Sequence, residues 1–302
     1  MSEVGRRDLA TLSVTTLGVG TPGVADARPT VLVPTGSTEQ HGPHLPFATD
    51  TVIAAAVASA VAERLNTSAD AEGAAGSSAS VSGASASGAS ASGASASGAA
   101  ASGAWAPGAS HFVVAPALPY GASGEHQPFA GTVSIGHDAL KVVLVELVRS
   151  LSTWAGRIVF VNGHGGNVPS LMEAVMAMIG EQHSVSWVTC SAPLAQSPID
   201  PATDSHAGRI ETSLLLHLAP STVDMALAVP GNTDTLGTLL PIMRTGGVAA
   251  VSPNGVLGDP TNATAAEGAQ FFEAIVSSVT DLIAGGATDA RGRLIARQST
   301  PA

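Results

Sequence analysis

The sequence predicts an α/β fold: a mostly parallel sheet with helices over both faces. Short apolar runs of strand length alternate with longer stretches whose apolar residues recur at helical spacing. Strands that alternate with helices imply crossover connections, and crossovers make parallel sheets buried on both sides. Two of the three polar motifs described below directly follow predicted strands, where such sheets gather functional groups.

Thr30 to Pro34 (TVLVP) is a short buried-strand run. The stretch from Asp50 to Leu65 places Ile53, Val57, Ala60, Val61 and Leu65 at helical spacing, with Asp50 positioned to cap it. His111 to Ala115 reads as the second strand. Leu140, Val143, Leu144, Leu147, Val148 and Leu151 form one helical stripe. Arg157 to Val161 is a strand, Ser170 to Ile179 a helix with Pro169 at its start, Val185 to Cys190 a strand and Ile210 to Leu218 a helix. Phe271, Phe272, Ile275, Val279, Leu282 and Ile283 mark a final helix.

Between the first helix and the second strand, residues 73–110 are repeats of Ala, Ser and Gly. Their apolar surface is too small to offset the entropy of ordering, so a disordered insertion is expected there. The flanks are too small to fold separately, which makes residues 1–302 a single domain interrupted by this segment.

A net charge of −11, with only 12 Lys and Arg and no basic cluster, argues against a nucleic-acid partner. No run reaches the roughly 18 apolar residues of a membrane span, and the polar stretch Met1 to Asp8 lacks a signal-peptide core. Cys190 is the only cysteine, which excludes an intrachain disulfide and a multi-thiolate zinc site. A soluble cytoplasmic protein is the expectation.

Three segments carry chemistry: Glu39-Gln40-His41-Gly42-Pro43-His44 with Asp50, Asn162-Gly163-His164-Gly165-Gly166-Asn167, and His206 to Thr212. Together they supply the carboxylates and imidazoles that hold zinc, iron or manganese. Glu39 and His41 sit two apart in a stretch where Pro43 and Pro46 forbid regular helix, so both side chains face one pocket. Asp50 has two oxygens and can bridge two ions, Glu39 holding one and His41 the other. His164 stands in a glycine-rich turn after a strand, and that turn matches neither common phosphate-loop pattern. His206 lies in the loop before a helix whose first turns carry Glu211. His44 reads equally as a pocket-lining or a packed residue, and His217 as structural.

Three carboxylates against two divalent ions leave a net positive charge, enough to attract and deprotonate water. His206, or else the pair Glu125 and His126, is placed to carry a proton to a leaving nitrogen. No G-x-S-x-G occurs to support a serine nucleophile.

These segments resemble the creatininase family of metal-dependent amidohydrolases over almost the whole chain outside the N-terminal tail and the insertion. The resemblance implies a three-layer α/β/α sandwich, often assembled as homo-hexamers. It also implies a dinuclear site of two divalent ions (Fe2+ or Zn2+, with Mn2+ also admitted) held by Glu39, His41, Asp50, His164 and Glu211. Creatininase itself carries a further glutamate two residues after the histidine matching His164; here that position is Gly166, so creatinine hydrolysis is not the expected reaction.

Tyr120 to Gln127, Gly246 to Ser252 and Gly255 to Thr261 look most like a peptidase branch of the family. The likeness implies a modified ribosomal precursor peptide as substrate, cleaved to release a C-terminal Val-Tyr-derived dipeptide. Two alternatives stand beside it: a hydrolase of a small cyclic or formylated amide, and a non-catalytic, metal-stabilised binding protein.

Overall fold

The structure is a computed structural model that describes residues 8–11, 28–78, 111–192 and 199–297. Four parallel strands form one sheet: β1 (Thr30–Thr35), β2 (Phe112–Val114), β3 (Arg157–Asn162) and β4 (Val185–Thr189), in the order β2-β1-β3-β4. Six helices accompany them: α1 (Thr49–Ser78), α2 (Gly136–Leu151), α3 (Val168–Gly180), α4 (Arg209–Leu218), α5 (Leu236–Gly246) and α6 (Ala265–Gly285). The predicted parallel sheet and three layers are both present.

Each central strand is buried on both faces, and its alternate residues serve different cores. Leu32, Val159 and Val161 face α1, α4 and α6, where they meet Val57, Val61, Leu215, Phe271, Ile275 and Val279. Val31, Val33, Ile158 and Phe160 face α2 and α3, where they meet Leu140, Leu144, Leu171 and Val175. The chain therefore crosses from β1 to β2 on one side of the sheet, and from β2 to β3 to β4 on the other. That reversal makes the gap between the carboxyl ends of β1 and β3 the topological switch point, where open α/β sheets bind ligands.

The edge at β4 is covered. The indole of Trp187 donates to the carbonyl of Arg291 at 2.9 Å, and Leu294 N–H donates to the carbonyl of Trp187 at 2.8 Å. These bonds occupy the outer edge of β4 at Trp187 and blunt it as a template for a further strand.

Two elements depart from expectation. Helix α1 continues to Ser78, so the first residues of the Ala/Ser/Gly segment are helical backbone where a disordered insertion was expected. Alanine's high helix propensity lets the helix run past its apolar stripe. The rest of that segment, residues 79–110, lies outside the described residues. Helix α5 has no counterpart among the expected elements, and Pro241 inside it removes one backbone donor. Leu239 of α5 packs with Val248 and Leu257, and this burial holds the helix despite the missing backbone donor.

Helices α4 and α6 cross at Gly268, where a β-carbon would stand 1.8 Å from the carbonyl oxygen of Ser213. Gly268→Ala should therefore destabilise the protein by about 1–3 kcal/mol through overpacking. That outweighs the roughly 1 kcal/mol that alanine ordinarily gains over glycine inside a helix. Denaturant unfolding measures the sign directly.

Candidate metal centre

The loop after β1 folds back on itself, with Glu39 N–H donating to the carbonyl of Phe47 at 3.1 Å. It turns the side chains of Glu39 and His41 inward, and both are fully buried. The Nδ1–H of His41 donates to the backbone carbonyl of Glu39 at 3.1 Å, which leaves Nε2 free to face the site. Asp50 lies in the first turn of α1. Its Oδ1 is 3.1 Å from Nε2 of His41 and its Oδ2 is 3.4 Å from Nδ1 of His164.

His164 sits just past the end of β3, held by Asn162, whose side-chain amide donates to the His164 carbonyl at 2.7 Å. Its Nε2 is 3.2 Å from Glu39 Oε2. Glu211 enters from α4, with Oε2 3.9 Å from His41 Nε2. That helix is capped by Asp204, which accepts from Arg209 N–H at 2.7 Å and Ile210 N–H at 2.8 Å.

Three groups of donors result, each with its ligand atoms within 4.8 Å of one another: Glu39, Asp50 and His164; His41, Asp50 and Glu211; and Glu39, His41 and His206. Asp50 belongs to the first two. Glu39 Oε1, Glu39 Oε2 and Asp50 Oδ2 are buried and accept no hydrogen bond, although imidazole nitrogens stand at ion-pair distance. Sealing carboxylate oxygens from water without donors is costly. Divalent cations fit this donor set and remove that cost.

Burial would lower the pKa of His41 and of His164, yet the carboxylates outweigh it. Asp50 first, then Glu211 and Glu39, push His41 up to about 9; Glu39 first, then Asp50, push His164 up to about 10. Burial works against ionisation of Glu39, but His164, His126 and His206 hold it well below the usual carboxylate range. Burial pushes Glu211 up to about 7, with His41 opposing.

Metal ions take only neutral imidazole, so loading must expel protons from His41 and His164 near neutral pH. Affinity should rise with pH until the rings titrate at about 9 and about 10. Indicator measurements in weak buffer should register the released protons; uptake of metal without release would contradict this account.

His206 is buried in the loop before α4, as its position in the sequence implies. Its Nε2 lies 2.8 Å from the carbonyl oxygen of Gln40, which can only accept, so Nε2 carries hydrogen. Burial, followed by His41, keeps the ring neutral by holding its pKa well below the usual value. Nδ1 is thus a lone pair, and it points at Glu39 Oε1 from 3.7 Å.

The amide of Gln40 completes this arrangement. Its Oε1 accepts from Gly42 N–H at 2.8 Å, while Nε2 donates to the carbonyl of Gly255 at 3.0 Å and to Nδ1 of His126 at 2.8 Å. His126 is left with Nε2–H facing Glu39 Oε1 at 3.3 Å. Gln40 therefore sets the tautomer of His126 and helps fix both rings. Sequence reasoning missed it, because the alternation that turns Glu39 and His41 inward assigns the residue between them to the opposite side.

Glu125 and His126 line a cavity of about 700 Å³ that opens beside the site, together with His164, His206, Leu240 and Met243. His44 lies outside the donor groups: it is buried, with Nε2 2.9 Å from Thr212 Oγ1. His217 stacks near Phe272, with ring centroids 5.7 Å apart, away from the cluster. Burial, with Asp50 nearby, pushes the Cys190 thiol up to about 12, away from the thiolate that a nucleophile needs.

A three-layer sandwich with a carboxylate–imidazole cluster at its switch point defines a class of hydrolase fold. A sequence profile of the creatininase family, described as creatinine amidohydrolase, matches residues 21–283, and the chain belongs to that family. "Mycofactocin precursor peptide peptidase" of Mycolicibacterium smegmatis is 47% identical over 266 residues, covering 88% of this chain and 89% of that protein. The protein of the same name from Mycobacterium tuberculosis is 46% identical over 256 residues, covering 85% of each. Among solved structures, creatinine amidohydrolase (creatininase) superposes with a TM-score of 0.64 at 22% identity, covering 92% of this chain and 96% of that one. A structure described as "Creatininase Mn" gives a TM-score of 0.65 at 22% identity over 92% and 97%. These structures share the fold.

Proposed function

We propose that this chain is a dinuclear metal-dependent peptidase, a single hydrolase domain that cleaves a modified mycofactocin precursor peptide and releases its C-terminal Val-Tyr-derived dipeptide. The observation that carries the reading is the position of Asp50, which belongs to two donor groups at once. The names of relatives 44–47% identical to the chain supply the substrate. In this reading Glu39, Asp50 and His164 would hold one ion, and His41, Asp50 and Glu211 would hold the other. Carboxylate and imidazole donors accept Fe2+, Zn2+ and Mn2+ alike.

When bound, the ions supply Lewis-acid polarisation of the amide carbonyl and lower the pKa of water to roughly 7. The rest falls to the chain's own groups. His206 would accept at Nδ1 a proton from the attacking water and pass it to the amide nitrogen as the C–N bond breaks. His126 turns its Nε2–H toward Glu39 Oε1, 3.3 Å away, and so presents a positive edge to that carboxylate. Leu240 and Met243, on the cavity wall away from the cluster, give an apolar face to the modified side chains. Among the described residues no helix is long and apolar enough to cross a membrane, and the same reading takes the protein as a cytoplasmic homo-oligomer.

Metal-loaded protein incubated with modified precursor should release the dipeptide-derived product, visible by mass spectrometry. Persistence of full-length peptide would reject the assignment. Turnover of a small cyclic or formylated amide, with the precursor untouched, would move the substrate while keeping the chemistry.

A further inference from the structure

Glu125 lies in a short 3-10 turn, Gly124–His126, on the wall of the cavity beside the metal centre. Its Oε1 is 3.5 Å from Nε2 of His164, on the cavity side of the group formed by Glu39, Asp50 and His164. It stands at the rim of that group, outside the set whose atoms all lie within 4.8 Å of one another.

Two glycines make this position possible. A β-carbon at Gly166 would be 2.5 Å from Glu125 Oε1 and 2.4 Å from His164 Nε2, closer than non-bonded atoms approach. A side chain at 166 would therefore compete with the Glu125 carboxylate for one space. Above the turn, Gly247 adopts a φ of +68°, and a β-carbon there would be 2.6 Å from the Glu125 carbonyl oxygen. The turn is gripped from both sides. Its internal bonds, His126 N–H to Ser123 at 3.0 Å and Gln127 N–H to Gly124 at 3.2 Å, fix the direction in which residue 125 projects.

The spacing from Glu125 to His164 is that of neighbouring ligands. Donors on one ion, each bonded at about 2.0–2.2 Å, stand roughly 3.0–3.5 Å apart in tetrahedral or octahedral geometry. His164 Nε2 is 3.2 Å from Glu39 Oε2 and 3.5 Å from Glu125 Oε1. Glu39, Asp50 and His164 would supply three protein donors, one fewer than a tetrahedral ion takes, and Glu125 approaches them from the cavity wall.

We propose that Glu125 is a further metal ligand, giving a carboxylate from the substrate cavity to the ion held by Glu39, Asp50 and His164. The inference rests on the dinuclear reading of the site and is independent of the peptide substrate. The open space at Gly166 admits the Glu125 carboxylate from a different loop, which makes this ligand part of the cavity wall.

The test is metal binding. Metal-free wild type, Glu125→Gln and Glu125→Asp are titrated with Zn2+ against a chromophoric chelator, and with Co2+ while its visible absorption is recorded. Glu125→Gln should bind one of two ions ten- to a hundred-fold more weakly and alter the cobalt spectrum of that ion alone. The other ion, held by His41, Asp50 and Glu211, should keep its affinity, which together with circular dichroism reports an intact fold. Glu125→Asp, shorter by one methylene, should fall between the two proteins. Both ions bound by Glu125→Gln as in wild type, with an unchanged cobalt spectrum, would overturn the proposal. A selectively weakened ion in a protein that leaves the precursor uncleaved would support the ligand and reject the peptidase.

Discussion

Asp50→Asn should fail to hold both proposed ions together and should lose turnover by at least about a thousand-fold. Asp50 is the one residue shared by the Glu39–Asp50–His164 and His41–Asp50–Glu211 groups, and it is nearly sealed from solvent. Asparagine keeps the shape but replaces one oxygen with an amide nitrogen that carries two hydrogens and ligates no metal. One donor can then serve one ion at most, and the negative charge that the two proposed ions would share is gone. Lewis-acid stabilisation is worth several kcal/mol, and each 1.4 kcal/mol is tenfold in rate. The expected loss exceeds the 10- to 100-fold typical of residues that merely support a ligand. Metal analysis of the purified variant decides the matter: two ions retained at wild-type stoichiometry would mean that Asp50 does not bridge.

His206→Ala should lower kcat by about 10²- to 10⁴-fold while keeping both ions and the fold. The ring is neutral and its Nδ1 lone pair faces Glu39 Oε1 from 3.7 Å, held there by the bond from Nε2 to the Gln40 carbonyl. The variant also separates two roles. His206 falls in a donor group with Glu39 and His41, so a variant that loses an ion along with activity would make His206 a ligand. Unchanged turnover would remove it from the reaction. A shuttle is distinguished by retained metal, a reduced kcat and a pH profile that loses one limb.

Much of the fold is legible in the chain because each element has to bury one face. The apolar run at residues 30–34 and the stripe from Leu140 to Leu151 reappear as β1 and α2 within a few residues. Helix α1 outruns its stripe, since alanine favours helix without needing a core to bury. Helix α5 escapes notice because the burial of Leu239 against Val248 and Leu257, which outweighs the effect of Pro241, comes from residues distant in sequence.

The donor set of the site is legible too. Glu39, His41, Asp50, His164, His206 and Glu211 stand in compact polar motifs of a recognisable family, and the fold brings all six to one cluster. His44 is the ambiguous member: its imidazole is buried beside Thr212, and burial followed by His41 pushes its pKa down to about 4, so it remains neutral in the packing.

The order of strands and helices, the three motifs and the family could be read from residue order, since periodicity and local spacing are properties of neighbouring residues. That Gln40 orients two histidines and that Glu125 occupies the space beside Gly166 could not. Those relations join residues from 41 to 166 positions apart, through distances that exist only once the loops at the ends of β1 and β3 have packed together.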